Sequence, residues 1–101
     1  MAAHPTAADF PALATFLDGY FHEDFRALYG SPVEAALEFT RDADFGLRAD
    51  VDAEFRAVRR ILASLGEPDW IDVLPTIGGA WRPGSLADID AVLDVLEASL
   101  D

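Results

Sequence analysis

In the stretch Leu47-Arg48-Ala49-Asp50-Val51-Asp52-Ala53-Glu54-Phe55-Arg56-Ala57-Val58-Arg59-Arg60-Ile61-Leu62-Ala63-Ser64-Leu65, apolar residues return at Leu47, Val51, Phe55, Val58, Leu62 and Leu65. Alternating steps of four and three residues stack along one side of a helix, whereas a half-buried strand needs alternation every second residue. A helix is therefore expected to begin between Gly46 and Ala49 and to run to Leu65, with Gly66 and Pro68 closing it. Asp50, Asp52 and Glu54 occupy its first half and Arg56, Arg59 and Arg60 its second, a distribution that suits the helix dipole.

The pattern extends in both directions. Upstream, Ser31-Pro32-Val33-Glu34 forms a capping box: a serine N-cap, proline at the first helical position and glutamate at the third. The helix it opens is expected to turn Val33, Ala36, Leu37 and Thr40 inward and to end near Ala43. Further upstream, Asp9 as N-cap with Pro11 in the first turn opens a helix to Tyr20, carrying Phe10, Leu13, Leu17 and Phe21 on one face. His22 to Gly30 reads as a corner and a short helical turn. Downstream, Ser85-Leu86-Ala87-Asp88 caps a last helix with Leu86, Ile89, Leu93, Leu96 and Leu100 as its inner stripe. Between these, Trp70, Ile71, Val73 and Leu74 make either a short helix ended by Pro75 or an extended segment. Gly78 to Gly84 is a loop, with Gly78-Gly79 as a flexible turn. The expected fold is all-α: a compact bundle of about four main helices plus one or two short helical turns, in one domain over residues 1–101 with 1–8 frayed.

Fifty-one per cent apolar residues supply a core for 101 residues, so wholesale disorder is not expected. No cysteine is present, which removes disulfides and thiolate chemistry. The start, Met1-Ala2-Ala3-His4-Pro5, lacks the basic and apolar segments of a signal peptide. No apolar run approaches the ~20 residues of a membrane span. A cytoplasmic protein is expected. Nineteen acids stand against seven arginines and no lysine, a formal charge of −12. That field opposes nucleic acid and anionic membrane and steers basic partners inward. Solubility alone would also produce such a balance.

Three segments together carry a family likeness. Phe10-Pro11-Ala12-Leu13 is followed by Phe16-Leu17-Asp18-Gly19-Tyr20-Phe21-His22-Glu23-Asp24-Phe25 and then by Tyr29-Gly30-Ser31-Pro32-Val33-Glu34-Ala35-Ala36. In order and spacing this run resembles the small immunity proteins of bacterial contact-dependent growth inhibition systems. The resemblance implies a cytoplasmic inhibitor that binds a cognate toxin domain and covers its active site or substrate-binding surface. The charge adds the expectation that such a toxin is a basic nuclease. An acidic adaptor or regulatory subunit of an unrelated host protein is the alternative.

Catalytic readings are weaker. His22-Glu23-Asp24 invites metal or acid–base chemistry, but the only other histidine is His4, and no second histidine lies one helical turn away. The structural reading has His22 contacting a helix-terminal carbonyl and Asp24 capping the next turn. Ser31, Ser64, Ser85 and Ser99 sit at cap or helix positions without a glycine-flanked elbow. Arg56, Arg59 and Arg60 could face phosphates, but acids surround them. We expect no enzyme, no cofactor and no metal. Trp70 is expected to be at least half buried. Trp81 and Arg82, of the types that dominate interface hot spots, sit in the Gly/Pro-rich loop. Glu67, Asp69 and Asp72 would supply an acidic rim, and these five residues are the expected partner-binding set.

Overall fold

The computed structural model describes residues 5–65 and 72–101. Six helices and no strands are found among them: α1 (Pro11–Tyr20), α2 (Phe25–Tyr29), α3 (Pro32–Asp42), α4 (Phe45–Ser64), α5 (Val73–Ile77) and α6 (Leu86–Ala98). Four are long and two are single turns, the all-α bundle that periodicity predicts.

The helix starts follow capping chemistry. The Ser31 hydroxyl accepts the Glu34 N–H at 3.2 Å, and the Ser85 hydroxyl accepts that of Asp88 at 3.4 Å. Asp44 begins α4 by accepting the Leu47 N–H at 2.8 Å. Each satisfies a donor that the first turn leaves without a partner. The start of α1 departs from expectation. Its N-cap is Phe10, with no side-chain bond, because the Asp9 carboxylate is engaged upstream by the Thr6 N–H and hydroxyl, at 3.0 and 3.3 Å. The acceptor for α1 comes from α4 instead, where Glu54 Oε1 takes the Leu13 N–H at 3.1 Å.

Residues 5–8, expected to be frayed, have defined contacts. Pro5 is buried, and its carbonyl accepts the Thr76 hydroxyl at 2.7 Å. Pro5 is thus tied to α5. Pro75 does not end α5 but lies inside it. At the third helical position its missing N–H removes no helical bond. The expected roles of Trp70, Gly66 and Pro68 fall outside the described residues.

Val51, Phe55, Val58 and Leu62 of α4 are fully buried, with Leu47 and Leu65 partly so at the ends of the stripe. Full burial of each such side chain contributes about 1.5–3 kcal/mol relative to exposure. They pack against Ile89, Val92, Leu93 and Leu96 of α6 and against α1. The sixth helix therefore turns inward on Val92 as well, with Leu86 and Leu100 at its margins.

On α3 the buried residues are Ala35, Ala36 and Phe39, while Val33, Leu37 and Thr40 are only half-buried. The inward face is rotated from the expected one because the Phe39 ring drives into the core. It meets Phe16 at 4.6 Å between centroids and Tyr20 at 5.4 Å. The two alanines beside it let α3 approach closely. No helix among the described residues is long and apolar enough to cross a membrane.

Candidate functional site

The corner between α1 and α2 is built by a loop that crosses it. The α1 helix ends at Tyr20, with the Phe21 N–H returning to the Leu17 carbonyl at 2.8 Å. Over this last turn runs Gly78-Gly79-Ala80. The Gly79 N–H donates to Asp18 Oδ1 at 2.8 Å, and the Ala80 N–H donates to the Phe21 carbonyl at 2.7 Å. A Cβ at Gly78 would lie 2.9 Å from the Ala14 carbonyl oxygen. At Gly79, where φ is +66°, it would lie 2.6 Å from that of Leu17. Only glycine permits this approach of backbone to backbone. Gly78-Gly79 is therefore a pinned strap and not the flexible turn expected of it.

The strap delivers Trp81 into the core. Its indole is 2% exposed, stacked on Phe21 at 4.8 Å and edge-on to Phe55 at 6.5 Å. The expectation that Trp81 meets a partner is corrected here: a Gly/Pro-rich loop predicts exposure, but this loop runs over α1 and turns its large ring inward. The next residue points the other way. Arg82 is exposed and pairs with equally exposed Asp72, Nε to Oδ1 3.0 Å. Asp72 and Arg82 are thus brought together at the surface, while Glu67 and Asp69 lie outside the described residues.

Beside the strap is an open hollow of about 370 Å³ lined by Asp18, His22, Glu23, Asp24, Gly79 and Ala80. Within it, His22 Nδ1 accepts the Asp24 N–H at 3.2 Å, and the Asp24 carboxylate makes no capping bond to α2. This reverses the expected corner: the imidazole serves as acceptor for the following turn, and the carboxylate stays in solvent. Asp18, Glu23 and Asp24 are exposed and form no ion pair among the described residues. The hollow is therefore an anionic concavity, with chemistry suited to a guanidinium or ammonium group. No group of three or more histidine, aspartate or glutamate side chains among the described residues is placed to hold a metal ion.

On the neighbouring face, the Tyr20 hydroxyl donates to Asp42 Oδ2 at 2.8 Å. Burial, and then this bond to a carboxylate, push the phenol from its ordinary 10.0 up to about 12. Tyr20 is thereby held as a neutral donor bracing α1 against α3.

The arginines of α4 are committed elsewhere. Arg59 grips Asp90 of α6 with two bonds, 2.7 and 3.2 Å. Arg56 spans Asp52, at 3.1 Å, and Glu97 of α6, at 3.3 Å. The hydrogen bond from Arg59 holds the Asp90 carboxyl below its ordinary range and, reciprocally, raises Arg59. These side chains clip α4 to α6, a role beyond the helix-terminus complement expected from their order in sequence. Together with Arg60 they line a second hollow of about 300 Å³. Its positive charge is offset by Asp52, Asp90 and Glu97.

Two positioning residues had no local signal in the sequence. Glu54 reads as an outer-face acid of a long helix, and Asp18 as an ordinary mid-helix carboxylate. Their partners lie 41 and 61 residues away.

Compared with known protein families, with curated proteins and with solved structures, the chain matches none of them.

Proposed function

We propose that this chain is an immunity protein, which binds a cognate bacterial toxin domain in the cytoplasm and neutralises it by covering its active site or substrate-binding surface. On this reading it works by occupying another protein and catalyses nothing itself. The observation that carries the reading is the anionic hollow at the α1–α2 corner. Glu23 and Asp24, which line it with Asp18, sit in the Gly19-Tyr20-Phe21-His22-Glu23-Asp24-Phe25 segment on which the family resemblance rests. Arg82 and Asp72, an exposed ion pair that follows the strap in the chain, stay as further contact candidates.

Mechanistically, a charge of −12 steers a basic toxin toward this chain at a rate that falls with salt. If the toxin is a nuclease, the carboxylates of the hollow take the place that phosphates occupy in its cleft. Exposed carboxylates need no desolvation until contact, so they favour encounter more than final affinity.

The test asks whether a toxin domain is encoded beside this gene, whose absence would favour the acidic adaptor, and co-expresses it with this chain. Growth is expected to be rescued, and rescue should weaken when Glu23→Gln and Asp24→Asn are combined. Continued killing at equal expression would remove the reading and leave the acidic adaptor in its place.

A further inference from the structure

A second surface lies on other elements. Between α3 and α6 runs a groove of about 440 Å³ lined by Leu37, Thr40, Asp94, Val95, Ala98 and Ser99. Two of the lining residues are polar by name only. The Thr40 hydroxyl donates to the Leu37 carbonyl at 2.7 Å, and the Ser99 hydroxyl to that of Leu96 at 2.6 Å. Both hydroxyls are satisfied by their own helices, so the groove is walled largely by carbon.

At one end Arg48 donates from Nη1 to the Ser99 carbonyl at 2.8 Å. The same guanidinium lies 5.8 Å from the centre of the Phe45 ring. Phe45 is 58% exposed, so Arg48 joins the groove to a large aromatic surface at the start of α4.

The charges along the groove indicate what it accepts. Asp94 lines it, and Glu34 lies one helical turn from Leu37 on α3; neither forms an ion pair among the described residues. The nearby cations are engaged, Arg41 by Glu38 at 3.0 Å and Arg48 by the Asp44 and Ser99 carbonyls. What remains available is apolar along the floor and anionic at the edge. A second copy of this chain would bring another charge of −12 against it, and an anionic membrane would be repelled for the same reason.

We propose that this groove docks one amphipathic helix of a partner protein, its leucine-like stripe seated on Leu37, Val95 and Ala98 and its flanking lysines or arginines meeting Asp94 and Glu34. This is the helix-in-groove mode, with anchors at i, i+3 or i+4, and i+7. It is independent of the corner hollow and does not rest on the toxin reading.

The test uses the purified full chain and two synthetic peptides of about 15 residues, long enough for four helical turns. One has a leucine stripe at helical spacing among lysines; the other has the same composition scrambled. The striped peptide is expected to bind about tenfold more tightly, a difference of about 1.4 kcal/mol. Amide shifts should centre on Leu37, Val95 and Ala98. Ala98→Trp, which fills the groove from an exposed position, should weaken binding about tenfold. Leu37→Gln serves as the second variant should the first fail to fold, and Glu23→Gln with Asp24→Asn should leave binding unchanged.

Equal binding of the two peptides would overturn the proposal, as would loss of binding in the corner variant. Sedimentation supplies a further outcome: a wild-type dimer that Ala98→Trp converts to monomer would assign the groove to a second copy and also overturn it.

Discussion

The α1–α2 corner and the α4–α6 seam both bury apolar side chains, yet they are secured differently. At the seam, valine, leucine and isoleucine from two long amphipathic helices meet face to face, and Arg59–Asp90 and Arg56–Glu97 pin the outer edge. Every element of that arrangement repeats, so the loss of one leaves the others in place. At the corner, a single strap passes within backbone contact of α1, and a single indole completes an aromatic cluster with Phe16, Phe21 and Phe25. Nothing there repeats. The seam is robust through redundancy, and the corner is specific through fit.

The largest expected effect therefore falls on the corner. Trp81→Ala should cost about 3–5 kcal/mol, the range for removing a buried large aromatic, measured as a lowered urea midpoint with reduced helical circular dichroism. A loss under about 0.5 kcal/mol, the scale of a surface change, would mean that the corner tolerates damage as the seam does.

Gly79→Ala should cost about 2–3 kcal/mol from its left-handed backbone and its contact with the Leu17 carbonyl. The control is Gly19→Ala on the same corner, where a Cβ meets nothing within 4 Å. That change should stabilise by about 0.5–1 kcal/mol, because alanine favours helix. Responses of opposite sign at the two glycines would sharpen the contrast, and similar responses would dissolve it.

The seam should respond least. Asp90→Asn removes a charge pair that is half in solvent, and a loss of about 0.5 kcal/mol is expected for such a pair. Its pH dependence has a definite sign. The folded-state pKa of Asp90 lies below the ordinary 3.8, so the contribution is complete above that value and disappears as the pH falls below it. Thermal melts of wild type and variant should differ at neutral pH and converge in acid. A difference that persists in acid would show that packing, and not charge, is altered by the change.

This contrast also explains which parts were legible before folding. The α4 stripe from Leu47 to Leu65 and the caps at Ser31 and Ser85 are local signals, written within a few residues, and the structure follows them closely. Phe39 was obscured because α3 offers apolar residues on more than one face, and only the position of Phe16 selects among them. Trp81 reads as exposed for a related reason: its neighbours specify a loop, but its burial depends on Phe21, 60 residues distant in the chain. At the candidate site, the surface pairing of Asp72 with Arg82 agrees with their expected placement near one another. The hollow at Asp18 and His22 has no local signature in the sequence, since part of its wall is supplied by Gly79 and Ala80, distant in the chain.

The bond from the Leu13 amide to Glu54 bears on how the molecule is made. A ribosome releases the amino-terminal segment first, and the acceptor for that segment's opening turn is synthesised 41 residues later. Until then α1 lacks that acceptor, and its opening turn is completed only when α4 arrives beside it.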